Sequence, residues 1–293
     1  MATVDRATMR DELAKQILAM LDAGEIPWRK PWIGKGGLPV NVLTSKHYSG
    51  MNALLLMWAG ESYWAGYGQW KKVGGQVRKG EKALTVFRPV FRTFDKGTSE
   101  ERTIPVNFAS CKVFAASQQD GWEAPKIETS AEALTPNQKA DAIIDTMQNR
   151  PTITHAATDR ACYSPMLDKV MMPEREQFRM AEGYYSTIFH ELSHSTGHES
   201  RNNREKFNDH SKHEYSKEEL IAEFSAMFLN AECGIAPAVM ENATAYIQTW
   251  QRRLQASPEM LDGVLTAAQK SADYILGLDS IARRNARAEA KSA

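Results

Sequence analysis

The 293-residue sequence lacks several things. No apolar run approaches the roughly 18 residues that a membrane-spanning helix needs. The opening stretch MATVDRATMRDELAK has no apolar core of the kind a secretory leader carries, which predicts a cytoplasmic protein with no membrane partner. Only three cysteines occur, Cys111, Cys162 and Cys233, an odd count without any C-x-x-C spacing. That excludes a disulfide framework and a zinc ribbon, and it predicts reduced thiols. Net charge is also missing: 36 Lys and Arg balance 36 Asp and Glu. A protein imitating nucleic acid would need a dense acidic surface instead. No internal repeat is visible.

What is present is ordinary globular composition, with 42% hydrophobic and 25% charged residues, in a length that suits two domains. The neutral total hides two unlike halves. Residues 1–125 carry 17 Lys and Arg against 12 Asp and Glu, and residues 126–293 carry 19 against 24. Six of seven tryptophans lie in the first half, and five of seven histidines lie between His190 and His213. The polar, aperiodic stretch Gln118–Thr135 reads as a linker, dividing the chain into domains at 1–125 and 126–293.

Periodicity predicts an α+β fold. In the first domain, helices are expected at 5–23, stopped by Gly24, at 52–60 and at 68–73. The β-formers of 83–94 and 102–115 flank Asp95-Lys96-Gly97 and read as a hairpin. In the second domain, Thr135-Pro136-Asn137-Gln138 combines an N-cap, a first-position proline and a capping-box glutamine, opening a helix to about 149. Short strands are expected at 153–158, 161–163 and 169–172. Helices are expected at 174–196, 217–232, 237–256 and from 258 into the 270s, with a fraying tail.

The sharpest chemical signal is His190-Glu191-Leu192-Ser193-His194. On a helix, positions i and i+4 share a face, so both imidazoles can address one ion. Glu191 is then placed to take a proton from water at that ion, as a metallopeptidase requires. The extension H-E-x-x-H-x-x-G-x-x-H fails: Gly197 fits, but the last position is Ser200 and His198 falls two residues early. The third ligand is therefore expected from Ser216–Glu223. Glu219 is the predicted ligand, and Glu223, one turn on, is predicted to support a ligand histidine. A capping box from Ser216 to Glu219 would instead turn Glu219 toward the backbone. Glu223 itself is the alternative ligand, and His198, Asp209, His210 and His213 are the remaining ones. The cofactor expected is one divalent metal, zinc first, with manganese or cobalt compatible with the same ligands.

Binding single-stranded nucleic acid without sequence preference needs cations along the backbone and aromatics under the bases. Trp28-Arg29-Lys30-Pro31-Trp32 interleaves both, and Pro27 and Pro31 stiffen it. Lys35 follows in a glycine-rich loop, and Tyr48 adds a further aromatic. Arg78-Lys79-Gly80-Glu81-Lys82 is a second basic turn. Trp58, Trp64 and Trp70 read as core.

The run Tyr185 to Gly197, followed by Tyr215-Ser-Lys-Glu-Glu219-Leu-Ile-Ala-Glu223, resembles the zincin-like metallopeptidase domain of ArdC-type antirestriction proteins. Tyr163-Ser-Pro, Asp168, Pro173 and Phe178 resemble that family's segment before the active-site helix. The N-terminal motifs Ile26-Pro-Trp-Arg-Lys-Pro-Trp32, Pro39-Val-Asn41, Tyr48-Ser-Gly-Met-Asn52 and Gln76 to Lys82 resemble the family's single-stranded-DNA-binding domain. The resemblance implies a small α+β DNA-binding domain, then a mostly helical zincin-like domain with a short sheet. It adds Asn52 to the expected DNA contacts. It also implies protection of incoming plasmid DNA from restriction, with a protein of the host restriction machinery as a candidate partner. A gluzincin-like peptidase is the leading reading. The alternative is a protein that occludes DNA, its metal site being structural or a protein-binding module.

Overall fold

The computed structural model describes residues 3–29, 38–97, 102–125, 134–204, 212–236 and 243–278. The chain divides into two units, Met1–Ala19 with Trp32–Glu128, and Met20–Pro31 with Thr129–Ala293. The main division thus falls close to the expected linker, but Met20–Pro31 belongs to the second unit.

In chain order the first part contains β1 (Thr3–Val4), α1 (Arg6–Asp22), β2 (Val40–Asn41), β3 (Lys46–His47), α2 (Gly50–Trp58), β4 (Tyr63–Ala65) and α3 (Tyr67–Lys72). It continues with β5 (Gln76–Val77), β6 (Leu84–Phe94), β7 (Arg102–Ala115) and β8 (Gln119–Asp120). α1 stops where expected: Gly24 adopts φ +79, and its N–H reaches the Leu21 carbonyl. β7 is the spine of the sheet. β6 pairs along one side of it, while β1 and β4 pair with the other side at different heights, followed by β2 and β3. Two core clusters form, one around Leu56, Trp64, Val86 and Val113, the other around Ala65, Trp70 and Val77. Gly75 is required by close packing: a Cβ there would lie 2.9 Å from the Trp70 ring and 2.6 Å from the Gln119 amide oxygen.

The second unit contains α4 (Pro136–Thr146), β9 (Thr152–Ala156), β10 (Cys162–Ser164), β11 (Lys169–Pro173), α5 (Ala181–Ser195), α6 (Lys212–Cys233), α7 (Ala243–Ala256) and α8 (Val264–Ile275). Thr135 caps α4 with the predicted box: its hydroxyl accepts from Gln138 N–H, and Gln138 Oε1 accepts from Thr135 N–H. β11 pairs parallel with β9 and antiparallel with β10. Three helices differ from expectation, the one expected from 217 already beginning at Lys212. The one expected from 174 begins at Ala181, because Glu174 and Gln177 close a separate short turn. The one expected from 258 is broken at Gly263, whose φ of +75 interrupts the helical path. α5 packs on α6 and α8 through small hydroxyls. Ser193 Oγ donates to Ser225 Oγ at 2.8 Å, and Thr196 and Ser271 hydroxyls meet at 2.7 Å. Short side chains allow this approach and satisfy each other in the dry interior.

No helix among the described residues is long and apolar enough to cross a membrane.

Candidate metal centre

α5 buries Tyr184, Tyr185, Ile188, Phe189 and Leu192, which leaves His190 and His194 on one remaining stripe. α6 returns against α5 and presents Glu219. Among the described residues, His190, His194 and Glu219 form a group of metal-capable side chains whose ligand atoms all lie within 4.8 Å of one another. The two Nε2 atoms are 3.0 Å apart, and each is 3.6 Å from a Glu219 carboxylate oxygen. α6 begins at Lys212, so Ser216 lies inside the helix and is not its N-cap. That leaves Glu219 free to face the histidines.

The surroundings orient each group. Glu218 Oε1 lies 3.2 Å from His194 Nδ1. A carboxylate accepts, so Nδ1 carries the proton and the Nε2 lone pair points into the site. Arg204 in turn grips both oxygens of Glu218, donating from Nε to Oε2 at 3.0 Å and from Nη2 to Oε1, and Nη2 also reaches the Ser193 and His194 carbonyls. The carboxylate supporting His194 is therefore Glu218, while Glu223, the one expected, acts by its charge on His190. Glu223 is buried and accepts from the Tyr246 hydroxyl at 2.7 Å. Sequence reasoning missed Glu218, Arg204 and Tyr246. Glu218 was adjacent to the predicted ligand, but Arg204 lies in a loop whose residues follow no period.

Burial opposes charge on His190. The Glu219 carboxylate, aided by Glu223 and Glu191, outweighs burial and raises the imidazole pKa to about 9. Burial likewise opposes the Glu219 carboxylate, yet His190 and His194, with the Tyr215 hydroxyl, bring it down to about 2. The pair is thus charge-separated at neutral pH. Glu191 is buried, with 8% exposure, and its charge acts on both His190 and Tyr215, which places it beside the ligand group. His198 turns away, its Nδ1 engaged by the hydroxyl and the N–H of Ser200. Asp209 and His210 lie outside the described residues, as does the side chain of His213.

The expected nucleic-acid residues fare differently. Trp28 is 2% exposed and sits in the second unit's core, edge-on to Phe224 and Trp250, with its indole N–H donated to Tyr246. It offers no face to a base, which corrects that expectation. Tyr48 packs against the first core cluster and accepts from Asn41. Asn52 spends its amide on both backbone groups of Phe87, pinning α2 to β6. Arg78 is held by Glu81 and Asp120. These three are structural in place of the contacts expected. Lys79 and Lys82 are exposed. Lys30, Trp32 and Lys35 lie outside the described residues, as does the Arg29 side chain.

Two histidines one turn apart, faced by a carboxylate from the next helix and backed by a small sheet, define the zincin-like class. Residues 138–270 match the family described as zincin-like metallopeptidase, and residues 7–114 match the N-terminal domain of anti-restriction factor ArdC. The crystal structure of antirestriction ArdC from plasmid R388 superposes with a TM-score of 0.70 at 33% identity, covering 91% of this chain and 96% of that one. The Mn(II)-bound form of the R388 protein matches equally, at 32% identity. The chain belongs to the ArdC family of antirestriction proteins. It is also 30% identical to y4eC of Sinorhizobium fredii over 94% of both chains, and 36% identical to a DNA primase TraC of Escherichia coli. It spans 20% of that primase's length.

Proposed function

We propose that this chain is a cytoplasmic antirestriction protein whose first unit holds single-stranded DNA and whose second is a metal-dependent peptidase acting during DNA transfer. His190, His194 and Glu219 hold the cation and Glu191 is the general base. The observation that carries this reading is the convergence of two imidazoles and one carboxylate beside a buried glutamate. The donor set fits a divalent cation: the nitrogens converge, His194 is locked in the ligating tautomer, and three ligands leave a coordination position open. Zinc suits these donors, and the Mn(II)-bound R388 relative supports a divalent ion at the corresponding fold. When bound, the cation supplies Lewis acidity and lowers the pKa of water. Glu191 then accepts a proton, Glu218 keeps His194 oriented, and Tyr215 steadies Glu219 by its hydroxyl.

Single-strand binding is supported by the ArdC N-terminal match and by exposed lysines on the first unit. The target of the peptidase is a protein of the restriction machinery, met at high local concentration because both activities share one chain. The test compares Glu191→Ala with wild type for metal content, peptidase activity and protection of transferred DNA. Full metal content with loss of the other two supports the reading. Protection retained without peptidase activity replaces it with occlusion by DNA binding.

A further inference from the structure

Trp28, one of the two tryptophans expected to stack on bases, is spent in the core, which leaves open where the first unit could hold a base. A cleft of about 620 Å³ opens between α3 and the β5–β8 ladder, lined by Tyr67, Gln76, Arg78, Lys79, Gly80 and Phe114 among others. That volume falls within the ordinary range for small-ligand sites. We infer that this cleft is a subsite for one nucleotide of single-stranded DNA, with Tyr67 as the stacking platform and Lys79 as the phosphate contact. The inference rests on the reading of the first unit as the DNA-binding one.

Three observations carry it. First, Tyr67 is 47% exposed; among the described residues of the first unit, the other large aromatic of comparable exposure is Phe91, on the β6–β7 hairpin and not in the cleft. The ring is nonetheless fixed. The Gln76 side-chain amide donates to its hydroxyl at 3.1 Å, Phe114 meets it edge-on with centroids 6.4 Å apart, and the Lys71 ammonium lies 5.2 Å from its centroid. A pre-set aromatic loses little entropy when a base stacks on it.

Second, the acidic groups of the cleft are tied down and partly offset internally. Arg78 pairs with Glu81 at 3.1 Å and Asp120 at 3.0 Å, and it also donates to the carbonyls of Ser117 and Gln119. Its backbone N–H is held by the Gln118 carbonyl at 3.0 Å. Arg78 is therefore a pin for the turn, and it offsets one of the two carboxylate charges, Lys79 beside it offsetting the other. Third, Lys79, which lines the cleft, forms no ion pair among the described residues, so its charge remains available to a phosphate. Gly80, at φ +91, leaves bare peptide on the cleft wall where a phosphate can approach. A stacking ring with an unpaired ammonium group beside it is the pairing that sequence-tolerant single-strand binding uses.

The test uses the full chain and a fluorescent oligothymidine of about 12 nucleotides, with affinity read at several salt concentrations. Tyr67→Ala is expected to weaken binding by about 5–100-fold, and Tyr67→Phe, which keeps the ring, to stay close to wild type. Lys79→Gln is expected to lower the slope of log affinity against log salt by about 0.7. Photocrosslinking to 5-bromodeoxyuridine is expected to mark the peptide containing Tyr67, a readout that does not depend on any variant folding. The inference is overturned if wild type binds while Tyr67→Ala and Lys79→Gln, both shown folded by thermal melting, bind equally well and the crosslinks map elsewhere. If wild type itself does not bind, the DNA-binding reading of the unit fails, and the subsite with it.

Discussion

The two units treat the same guanidinium–carboxylate chemistry in opposite ways. In the second unit, the Arg201 side chain is fully covered and forms a two-pronged pair with Asp168 at 2.9 and 2.8 Å, with further bonds to the Asn149 and Ser195 carbonyls. Arg204, with 10% of its side chain exposed, clamps Glu218 behind His194. In the first unit, Arg78 does comparable tying work in the open, 42% exposed, on an Asp120 that is 71% exposed. A buried pair is tolerated only when every donor and lone pair is satisfied, and it then holds its groups in one geometry. An exposed pair is screened by water and contributes little. The difference matches the chemistry proposed for each unit. Orienting an imidazole demands a dry, complete network, whereas meeting a flexible polyanion needs only a rigid turn and unpaired lysines.

Trp28→Ala carries the largest expected effect, because it removes a core side chain of the second unit. It is expected to destabilise that unit by about 3–5 kcal/mol in urea unfolding. Labelling of Cys233 provides a second readout. This thiol is buried, and burial pushes its pKa up to about 12, so it reacts only when the unit opens. Oligonucleotide affinity per folded molecule should not change. A stable Trp28→Ala variant with weakened DNA binding would return Trp28 to the nucleic-acid face and erase the contrast between the units.

Asp168→Asn comes next. Asp168 has a positive φ of 44, which Asn tolerates, so the change isolates the loss of charge. It strands the covered Arg201 guanidinium, and a loss of about 3 kcal/mol is expected by denaturation. A loss below about 1 kcal/mol would show that the pair behaves like the surface one.

Glu218→Gln should leave the fold intact and weaken metal affinity by about 10–100-fold, measured by competition with a chelator. Glu223→Gln should weaken it less, since Glu223 acts on His190 through its charge and accepts from the Tyr246 hydroxyl, whereas Glu218 bonds His194 Nδ1 directly. The reverse order would reassign the orienting carboxylate.

The smallest effect is expected for Arg78→Met, at most about 1 kcal/mol of stability. Its loss leaves Glu81 and Asp120 uncompensated beside the cleft, so DNA affinity should fall by repulsion while the salt slope changes less than in Lys79→Gln, which removes a phosphate contact.

The metal centre is largely legible in the sequence, for a local reason. Helical geometry brings i and i+4 together whatever surrounds the helix, so spacing alone pairs His190 with His194. Glu219 follows from the need for a third ligand on a returning helix. Glu218 and Glu223 are interchangeable at that level, because the choice between them depends on how α6 is rotated against α5. The proposed nucleic-acid face is much less legible. Trp28 in a Pro-Trp-Arg-Lys-Pro-Trp run looks the same whether its ring faces solvent or Phe224.

By itself, then, the sequence determined the two-part organisation, most helices and strands, the capping box at Thr135 and the paired histidines, all consequences of short-range spacing. Tertiary structure alone decided that Met20–Pro31 belongs to the second unit, that Arg204 and Glu218 fix the tautomer of His194, that Asn52 and Arg78 are internal pins, and that Tyr67 opens on a cleft. Each of these depends on which distant surface covers a side chain, and local pattern carries no record of that.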